Sequence, residues 1–439
     1  MINHLVLDYI KSAGVKRISP WIWIPGLFCA QGIPTAIFTF VSLLMFIRFD
    51  VGYSLATVFM SMLFVPSVLK SFFRSRIRLI RNYKLSINIV EGLIFVTLCA
   101  MALSTHSHNA SPESLFIWMF LISMLCSWHE LLARMYYEKT LNLRDRIYFY
   151  KVKTFATLST LILTYGVIII LVGFLEIFFR NIPHAWSMAC YIMAGVFLLF
   201  FLVNIFLPPR RPLHLGISAS ESSLYGSVKT DARILDRMMR RKYSMRTFFF
   251  MFILMLPQAL MFNTRVFFLL ASSDDGGLGC SIQDIGFAQG TVGVIGFSAG
   301  ILLGRMLLRR YGAFRTFWPM VIAVGLSPLL YLIMTLHNPE TLGQLSVMTF
   351  LAQFLFGFGL NISIMFVAYI SDDRYQSTIN YLYIPFVAAS MIVPMMLSGW
   401  LVTVMGFTRF FLLNALCAPL AWVIFAVTGA RHCYVRKIR

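Results

Sequence analysis

Residues 208–244, PPRRPLHLGISASESSLYGSVKTDARILDRMMRRKYS, form the longest polar interruption in a chain dominated by apolar runs. Six apolar runs precede this stretch and six follow it. Its second half places apolar side chains on one face of a predicted helix and arginines on the other: Ile234, Leu235, Met238 and Met239 against Arg233, Arg237, Arg240 and Arg241. Such a basic amphipathic helix is typical of attachment to an anionic membrane surface, and binding to a partner protein is the alternative.

Composition indicates that lipid is the main solvent of this chain. Of its 439 residues, 59% are hydrophobic and 12% are charged, which is too little charge for a soluble protein of this length. A helix needs about 20 apolar residues to cross a bilayer. The sequence predicts an all-α polytopic membrane protein of about twelve helices, at residues 20–47, 53–73, 85–105, 113–136, 153–176, 184–207, 246–271, 283–308, 316–336, 343–370, 377–404 and 409–430.

The formal net charge of +20 is explained by topology. Lys and Arg concentrate in both termini and in loops that follow even-numbered helices, whereas the loops after helices 3, 7 and 9 are poor in them. The positive-inside rule therefore predicts cytoplasmic termini and gives no reason to expect a nucleic-acid partner. The predicted divisions are a cytoplasmic segment 1–19, a six-helix bundle 20–207, a cytoplasmic loop 208–245, a second six-helix bundle 246–430 and a basic tail 431–439. This 6+6 outline is typical of the major facilitator superfamily.

The eighth apolar run contains glycines three or four residues apart, namely Gly286, Gly290, Gly293, Gly296, Gly300 and Gly304. Small residues at this spacing form a smooth helix face that allows close approach of another helix in lipid. Tight packing is one interpretation, and sliding of helices during transport is another. The two are compatible.

Four stretches of the sequence resemble a known family. PWIWIPGLFCAQGIPTAIFTFVSLLMFIRF (20–49), FVPSVLK (64–70), GGLGCSIQDIGFAQGTVGVIGFSAGILLGR (276–305) and RYQSTINYLYIPFVAASMIVPMMLSGWLVTVMGFTRFF (374–411) resemble the AmpG-like muropeptide permeases of the major facilitator superfamily. The resemblance implies proton symport of cell-wall-derived amino sugars, with or without peptide, across a bacterial inner membrane during peptidoglycan recycling. Where the family has a Gln/His-Asp pair and a second aspartate, this chain has His129, Glu130 and Arg134.

Charged residues within the apolar runs are the first candidates for a transport site. Lys70 is close enough to a predicted helix end to be a surface anchor, but the resemblance implies a cavity-lining lysine that binds an anionic solute. Glu130 and Arg134 are four residues apart, which predicts an ion pair, while a carboxylate in an alternately wet and dry cavity suits proton coupling. His129 is a candidate proton relay beside Glu130.

Further polar residues are candidates for binding the solute. Arg265 either extends to the outer interface or faces the cavity with Asn263 and Gln258. Amides that suit recognition of a sugar, or a hydrogen bond between helices, are Gln31, Gln258, Asn263, Asn361 and Asn380. Glu91 is predicted to pair with a neighbouring base, and Lys153 to be an interfacial anchor. We expect Lys70, Glu130 and Gln258 to point into a cavity lined by helices 1, 4, 7 and 10.

These patterns leave three functions open. The first is a proton-linked importer of a cell-wall amino sugar, and the second is a transporter of another small organic anion or oligosaccharide. The third is a membrane sensor or scaffold that has lost transport. No nucleophile–base set, phosphate-binding loop or metal-ligand cluster is visible in the sequence, so we expect neither an enzyme nor a cofactor.

Overall fold

The computed structural model describes residues 19–70, 77, 80, 82–106, 111–206, 244–370 and 376–428. For residues 244–248, 364–370 and 376–386 it describes the backbone alone. The predicted amphipathic helix of the central loop, the N-terminal segment up to residue 18 and the tail from residue 429 lie outside the described residues. The side chain of Asn380 also lies outside them.

The described chain folds into twelve helices. They are α1 Pro20–Arg48, α2 Tyr53–Leu69, α3 Tyr83–His106, α4 Pro112–Thr140, α5 Leu143–Phe179, α6 Ile182–Phe206, α7 Ser244–Leu270, α8 282–311, α9 313–336, α10 Leu342–Ile370, α11 376–405 and α12 407–427. Nine helical stretches are long and apolar enough to cross a membrane, two of which are divided by a glycine, while α2 is shorter. The predicted all-α fold is confirmed.

Two turns are much shorter than the sequence predicted. The sequence predicts loops of several residues after positions 308 and 404. In the structure, Gly312 alone separates α8 from α9, and Gly406 alone separates α11 from α12. These glycines have φ of 74° and 75° with ψ of 167° and 168°. Only glycine adopts this backbone conformation without strain, because it lacks Cβ. One residue is therefore enough to end each helix.

Three helices contain a π-helical segment, which adds a residue to the local turn. The segments are Ile37–Val41 in α1, Leu163–Ile168 in α5 and Gly286–Gly293 in α8. Such segments redirect side chains and are frequent at functional sites. The segments of α5 and α8 pack against each other, since a side chain at Gly290 would overlap the backbone carbonyl of Tyr165.

The glycine face predicted for α8 is confirmed as a packing surface, and it serves two neighbours. Gly286 and Gly290 lie against the backbone of α5, at Ile170 and Tyr165. The remaining four glycines, Gly293, Gly296, Gly300 and Gly304, lie against residues of α10. In lipid such close approach supplies the dispersion contacts that hold helices together.

Many contacts between the first six and the last six helices lie near one end of the bundle. This end carries the turns at residues 49–52, 180–181, 271–281 and 337–341, and the charge bias predicts that it is the outer one; we call it the predicted outer end. There the Tyr53 and Phe267 rings stack with centroids 4.6 Å apart, and Thr57 Oγ1 donates to the Met396 carbonyl at 3.2 Å. The α5–α8 contact lies in the same half of the bundle.

We predict opposite effects for two alanine substitutions of helical glycines. Gly300→Ala places a methyl group on the Phe354 carbonyl of α10, and overpacking of this kind costs about 1–3 kcal/mol or more. Gly195→Ala on α6 meets no atom within 4 Å, so its effect stays within about 1 kcal/mol and favours the helix. Apparent melting temperatures of the purified proteins in detergent measure the difference. Equal melting temperatures for the two variants would contradict the packing role of the α8 glycines.

Candidate functional site

Lys70 and Glu130 form an ion pair between α2 and α4. Lys70 Nζ lies 2.5 Å from Glu130 Oε2. The lysine side chain is 9% exposed, whereas the glutamate side chain is 32% exposed. Lys70 is thus held in the bundle by a carboxylate that is itself partly exposed.

Small polar side chains hold α2 and α4 together in the turns that precede this pair. Ser123 Oγ donates to the Leu63 carbonyl at 2.5 Å, and the Ser67 and Ser127 hydroxyl oxygens lie 3.3 Å apart. The α4 partners recur every three or four residues, at 123, 127 and 130, so they share one helix face. The serines allow the close approach that places Lys70 beside Glu130.

Other basic residues lie near the Glu130 carboxylate, but its ion-pair partner is Lys70. Arg134 makes its four-residue pair with Glu138, with Nε and Oε1 3.6 Å apart, in place of the pair that its spacing from Glu130 suggested. Lys153 Nζ lies 4.5 Å from the centre of the Phe28 ring, so it is packed in the bundle on α5. Arg134 and Lys153 both attract the Glu130 carboxylate more weakly than Lys70 does.

His129 belongs to a separate buried network and points away from the ion pair. Its Nε2 lies 2.8 Å from Glu91 Oε1, and its Nδ1 lies 2.5 Å from Gln31 Oε1. Asn204 Nδ2 donates to the same Glu91 oxygen at 2.7 Å. His129, Glu91 and Asn204 have no exposed surface. The network joins α1, α3, α4 and α6.

The hydrogen-bond pattern fixes the net charge of the His129–Glu91 pair. Because the Gln31 carbonyl accepts from Nδ1, that nitrogen carries a proton. Nε2 then either donates to the Glu91 carboxylate or accepts from the protonated acid. In both cases one proton lies between Nε2 and Oε1, and the pair is neutral overall. A neutral pair is compatible with complete burial.

The amides predicted in the second half mostly hold helices together. Gln258 Nε2 donates to the Val324 carbonyl of α9 at 3.0 Å, so the expectation that it points into the central cavity is not met. Asn361 Nδ2 contacts carbonyls of α8 and of its own helix, Ile301 O at 3.4 Å and Phe358 O at 3.1 Å. Both are structural hydrogen bonds between or within helices.

Asn263 and Arg265 do not form one site. Two residues apart on α7, they point in nearly opposite directions, because a helix turns about 100° per residue. Asn263 is fully buried, and neither polar atom of its side chain has a hydrogen-bond partner in the part of the chain that the structure describes. The Arg265 guanidinium carbon lies 5.2 Å from the centre of the Phe262 ring. Its surroundings include Tyr165 and Tyr331.

From the sequence, Glu91 is predicted only to pair with a neighbouring base. The predicted site residues do not include Asn204, Tyr165, Tyr331, Gln289 or Gln353. The signal was present, since each is polar within an apolar run. Within the described ranges no group of three or more His, Cys, Asp or Glu side chains could hold a metal ion.

We predict that Glu91→Ala strongly destabilises the protein. The change leaves His129 Nε2 and Asn204 Nδ2 buried without their acceptor, and each orphaned group costs about 1–3 kcal/mol. Glu113→Ala, at an exposed carboxylate near the start of α4, serves as the control and leaves stability within about 0.5 kcal/mol. Thermal unfolding in detergent is the measurement. Equal stability of the two variants would contradict the buried network.

Comparison with known proteins identifies the fold. No protein-family model matches the chain, and no curated protein matches it. Among solved structures, the nucleoside transporter NupG has a TM-score of 0.68 at 16% identity, covering 94% of this chain and 98% of its own. A POT family transporter in complex with 5-aminolevulinic acid has a TM-score of 0.66 at 14% identity, covering 93% and 94%. The xylose transporter XylE from E. coli has a TM-score of 0.60 at 13% identity, covering 92% and 94%. The chain therefore has the fold of the major facilitator superfamily.

Proposed function

We propose that the protein is a proton-coupled secondary transporter that imports an anionic, cell-wall-derived amino sugar or muropeptide-like solute. The observation that carries the proposal is the Lys70–Glu130 ion pair, in which a buried base is held by a partly exposed acid. The resemblance to AmpG-like permeases supplies the solute class. Its setting is a bacterial inner membrane with both termini in the cytoplasm, as the charge bias predicts.

A cavity between the two halves explains the exposure of Glu130. The residue lies well inside α4, a 29-residue helix long enough to span the bilayer. A carboxylate at that depth is unfavourable in hydrocarbon and favourable in water. Because many contacts between the halves lie near the predicted outer end, we infer that the cavity opens towards the other end and that Glu130 there contacts cytoplasmic water.

Competition for Lys70 couples proton and solute. With Glu130 ionised, the lysine is occupied by the carboxylate at 2.5 Å. An anionic group of the solute that takes the place of the carboxylate leaves Glu130 without its counter-ion, and the acid then binds a proton. A loaded site therefore holds one anionic group and one proton in addition to Lys70. Both cross together, and the bundle avoids an uncompensated charge in either state.

The basic residues near the pair favour anions over neutral solutes. Arg134 and Lys153 add positive charge around Glu130, and they remain when Glu130 is protonated. Transport of another small organic anion would use the same arrangement.

We expect membrane vesicles that contain the protein to accumulate labelled N-acetylglucosaminyl-anhydromuramic acid when a proton gradient is imposed. Dissipation of the gradient leaves only equilibration, because the solute then has no driving force. Uptake of the labelled solute over time is the measurement. Accumulation of an unrelated organic anion in place of this solute would keep the mechanism and reject the solute class. No uptake of any anion would favour a sensor or scaffold that has lost transport.

Lys70→Gln and Glu130→Gln are expected to fail in different ways. Lys70→Gln removes the charge partner of the solute, so its apparent KM rises about 10- to 100-fold, or uptake is lost. Glu130→Gln keeps the size of the side chain but cannot carry the proton, so accumulation fails while exchange of labelled for unlabelled solute continues. Uptake and exchange in the same vesicles separate the two outcomes.

Glu138→Gln is the matched control for Glu130→Gln, since Glu138 lies on the same helix and has a similarly exposed side chain, 30% against 32%. This variant is expected to accumulate solute as the wild type does. Normal uptake by both the Lys70 and Glu130 variants, at wild-type abundance, would reject the proposed coupling.

A further inference from the structure

Arg265 is a charged residue in the bundle for which the described residues provide no carboxylate partner. It lies on α7, five residues before the helix ends at Leu270 near the predicted outer end. Its Nε is buried and donates to no partner within the described ranges. The guanidinium lies over the Phe262 ring, which in turn contacts Phe64 of α2 with ring centroids 5.5 Å apart. Arg265 thus sits where α7 meets the first half of the molecule.

The polar side chains near Arg265 carry hydroxyl and amide groups. Tyr165 of α5 and Tyr331 of α9 lie in the surroundings of the guanidinium. Gln289 Nε2 donates to the Tyr331 hydroxyl at 2.7 Å. The Tyr165 hydroxyl is hydrogen-bonded to Thr39 of α1. These residues come from five helices, so the cluster spans both halves.

The π-helical segments single out the same place. Thr39, Tyr165 and Gln289 lie in the π segments of α1, α5 and α8 respectively. A π segment rotates the side chains that follow it relative to a regular helix. Three segments that each deliver a polar side chain to one cluster indicate a site shaped for a ligand.

An uncompensated guanidinium in an apolar bundle is unfavourable unless an anion or water reaches it. Its planar set of N–H donors matches the two oxygens of a carboxylate or the oxygens of a phosphate. The tyrosine hydroxyls and the Gln289 amide can both donate and accept, which suits the hydroxyl and amide groups of an amino sugar.

We propose that Arg265, with Tyr165, Tyr331 and Gln289, forms an anion-binding subsite that takes a carboxylate or phosphate group of the transported solute. This inference rests on the proposed function and deepens it, because it adds a second anion contact to the path. Arg265 lies nearer the predicted outer end, whereas Lys70 lies at the opposite end of α2. Arg265 holds the anion without a competing acid, and Lys70 then receives it in exchange for Glu130.

Binding of small probes to purified protein in nanodiscs tests the subsite without requiring transport. N-acetylmuramic acid and N-acetylglucosamine differ by one carboxylate-bearing ether group, and inorganic phosphate tests the second anion. We expect wild type to bind N-acetylmuramic acid about 10- to 100-fold more tightly than N-acetylglucosamine by calorimetry. Because Lys70 also contacts the anion in the proposed mechanism, the Arg265 variants are compared in a Lys70→Gln background. There Arg265→Gln is expected to lose this preference, and Arg265→Lys to recover part of it. Competition by phosphate decides whether the subsite also accepts that anion.

Arg305→Gln is the matched control, because Arg305 also lies over an aromatic ring, with its guanidinium carbon 5.9 Å from the centre of the Tyr150 ring. This variant is expected to bind as wild type does. Without ligand, Arg265→Gln should melt at the wild-type temperature or above, since it removes an unpaired charge, whereas a structural arginine would give a lower value. A preference for the acid that survives Arg265→Gln in the Lys70→Gln background overturns the inference, as does a wild type that binds neither N-acetylmuramic acid nor phosphate.

The outcomes also separate this inference from the proposed function. Loss of the acid preference on adding Arg265→Gln to Lys70→Gln, together with uptake that ignores the proton gradient, keeps the subsite and rejects the coupling. Gradient-driven uptake that depends on Glu130, together with an acid preference that Arg265→Gln leaves unchanged in that background, keeps the coupling and rejects the subsite.

Discussion

A charge inside an apolar helix bundle must be paired, hydrated or directed at a ligand, and this constraint organises the whole molecule. Charged groups within the described helices meet it in different ways. Glu91 is paired with His129, and Lys70 is paired with Glu130. Near the predicted outer end, Arg48 and Glu176 form a two-point pair with donor–acceptor distances of 3.1 and 2.7 Å. Arg265 alone of these has no described acid partner, and a ligand is the remaining way to satisfy it.

Small residues decide where these charges meet. Lipid gives helices no hydrophobic reason to associate, so they approach where serine or glycine lets the backbones come close. The serine contacts between α2 and α4 lead to the Lys70–Glu130 pair, and the glycines of α8 allow close contact with α5 and α10. Packing therefore sets the electrostatics, since two or three residues on a smooth face determine which charges are neighbours. A change in that face would alter the site without touching a charged residue.

The sequence was sufficient for the helices and insufficient for their partners. Apolar runs and their 3.6-residue period are local signals, so twelve helices and the packing face of α8 could be predicted. Spacing along α4 suggested Arg134 as the partner of Glu130, but the partner is Lys70, 60 residues away in the chain. Contacts between helices depend on rotation and register, which no local pattern encodes. The one-residue turn at Gly312 was missed because its signal is a single glycine.

The number of protons taken up when an anionic solute binds is the most direct test of competition between solute and Glu130 for Lys70. Calorimetry of N-acetylmuramic acid binding, repeated in buffers with different ionisation enthalpies, measures this number on the purified protein. Displacement of Glu130 from Lys70 predicts an uptake that approaches one proton per solute in Arg265→Gln, where Lys70 is the remaining proposed anion contact, and falls to zero when Glu130→Gln is added. Binding to Arg265→Gln without proton uptake, or with the same uptake after Glu130→Gln is added, would contradict the mechanism.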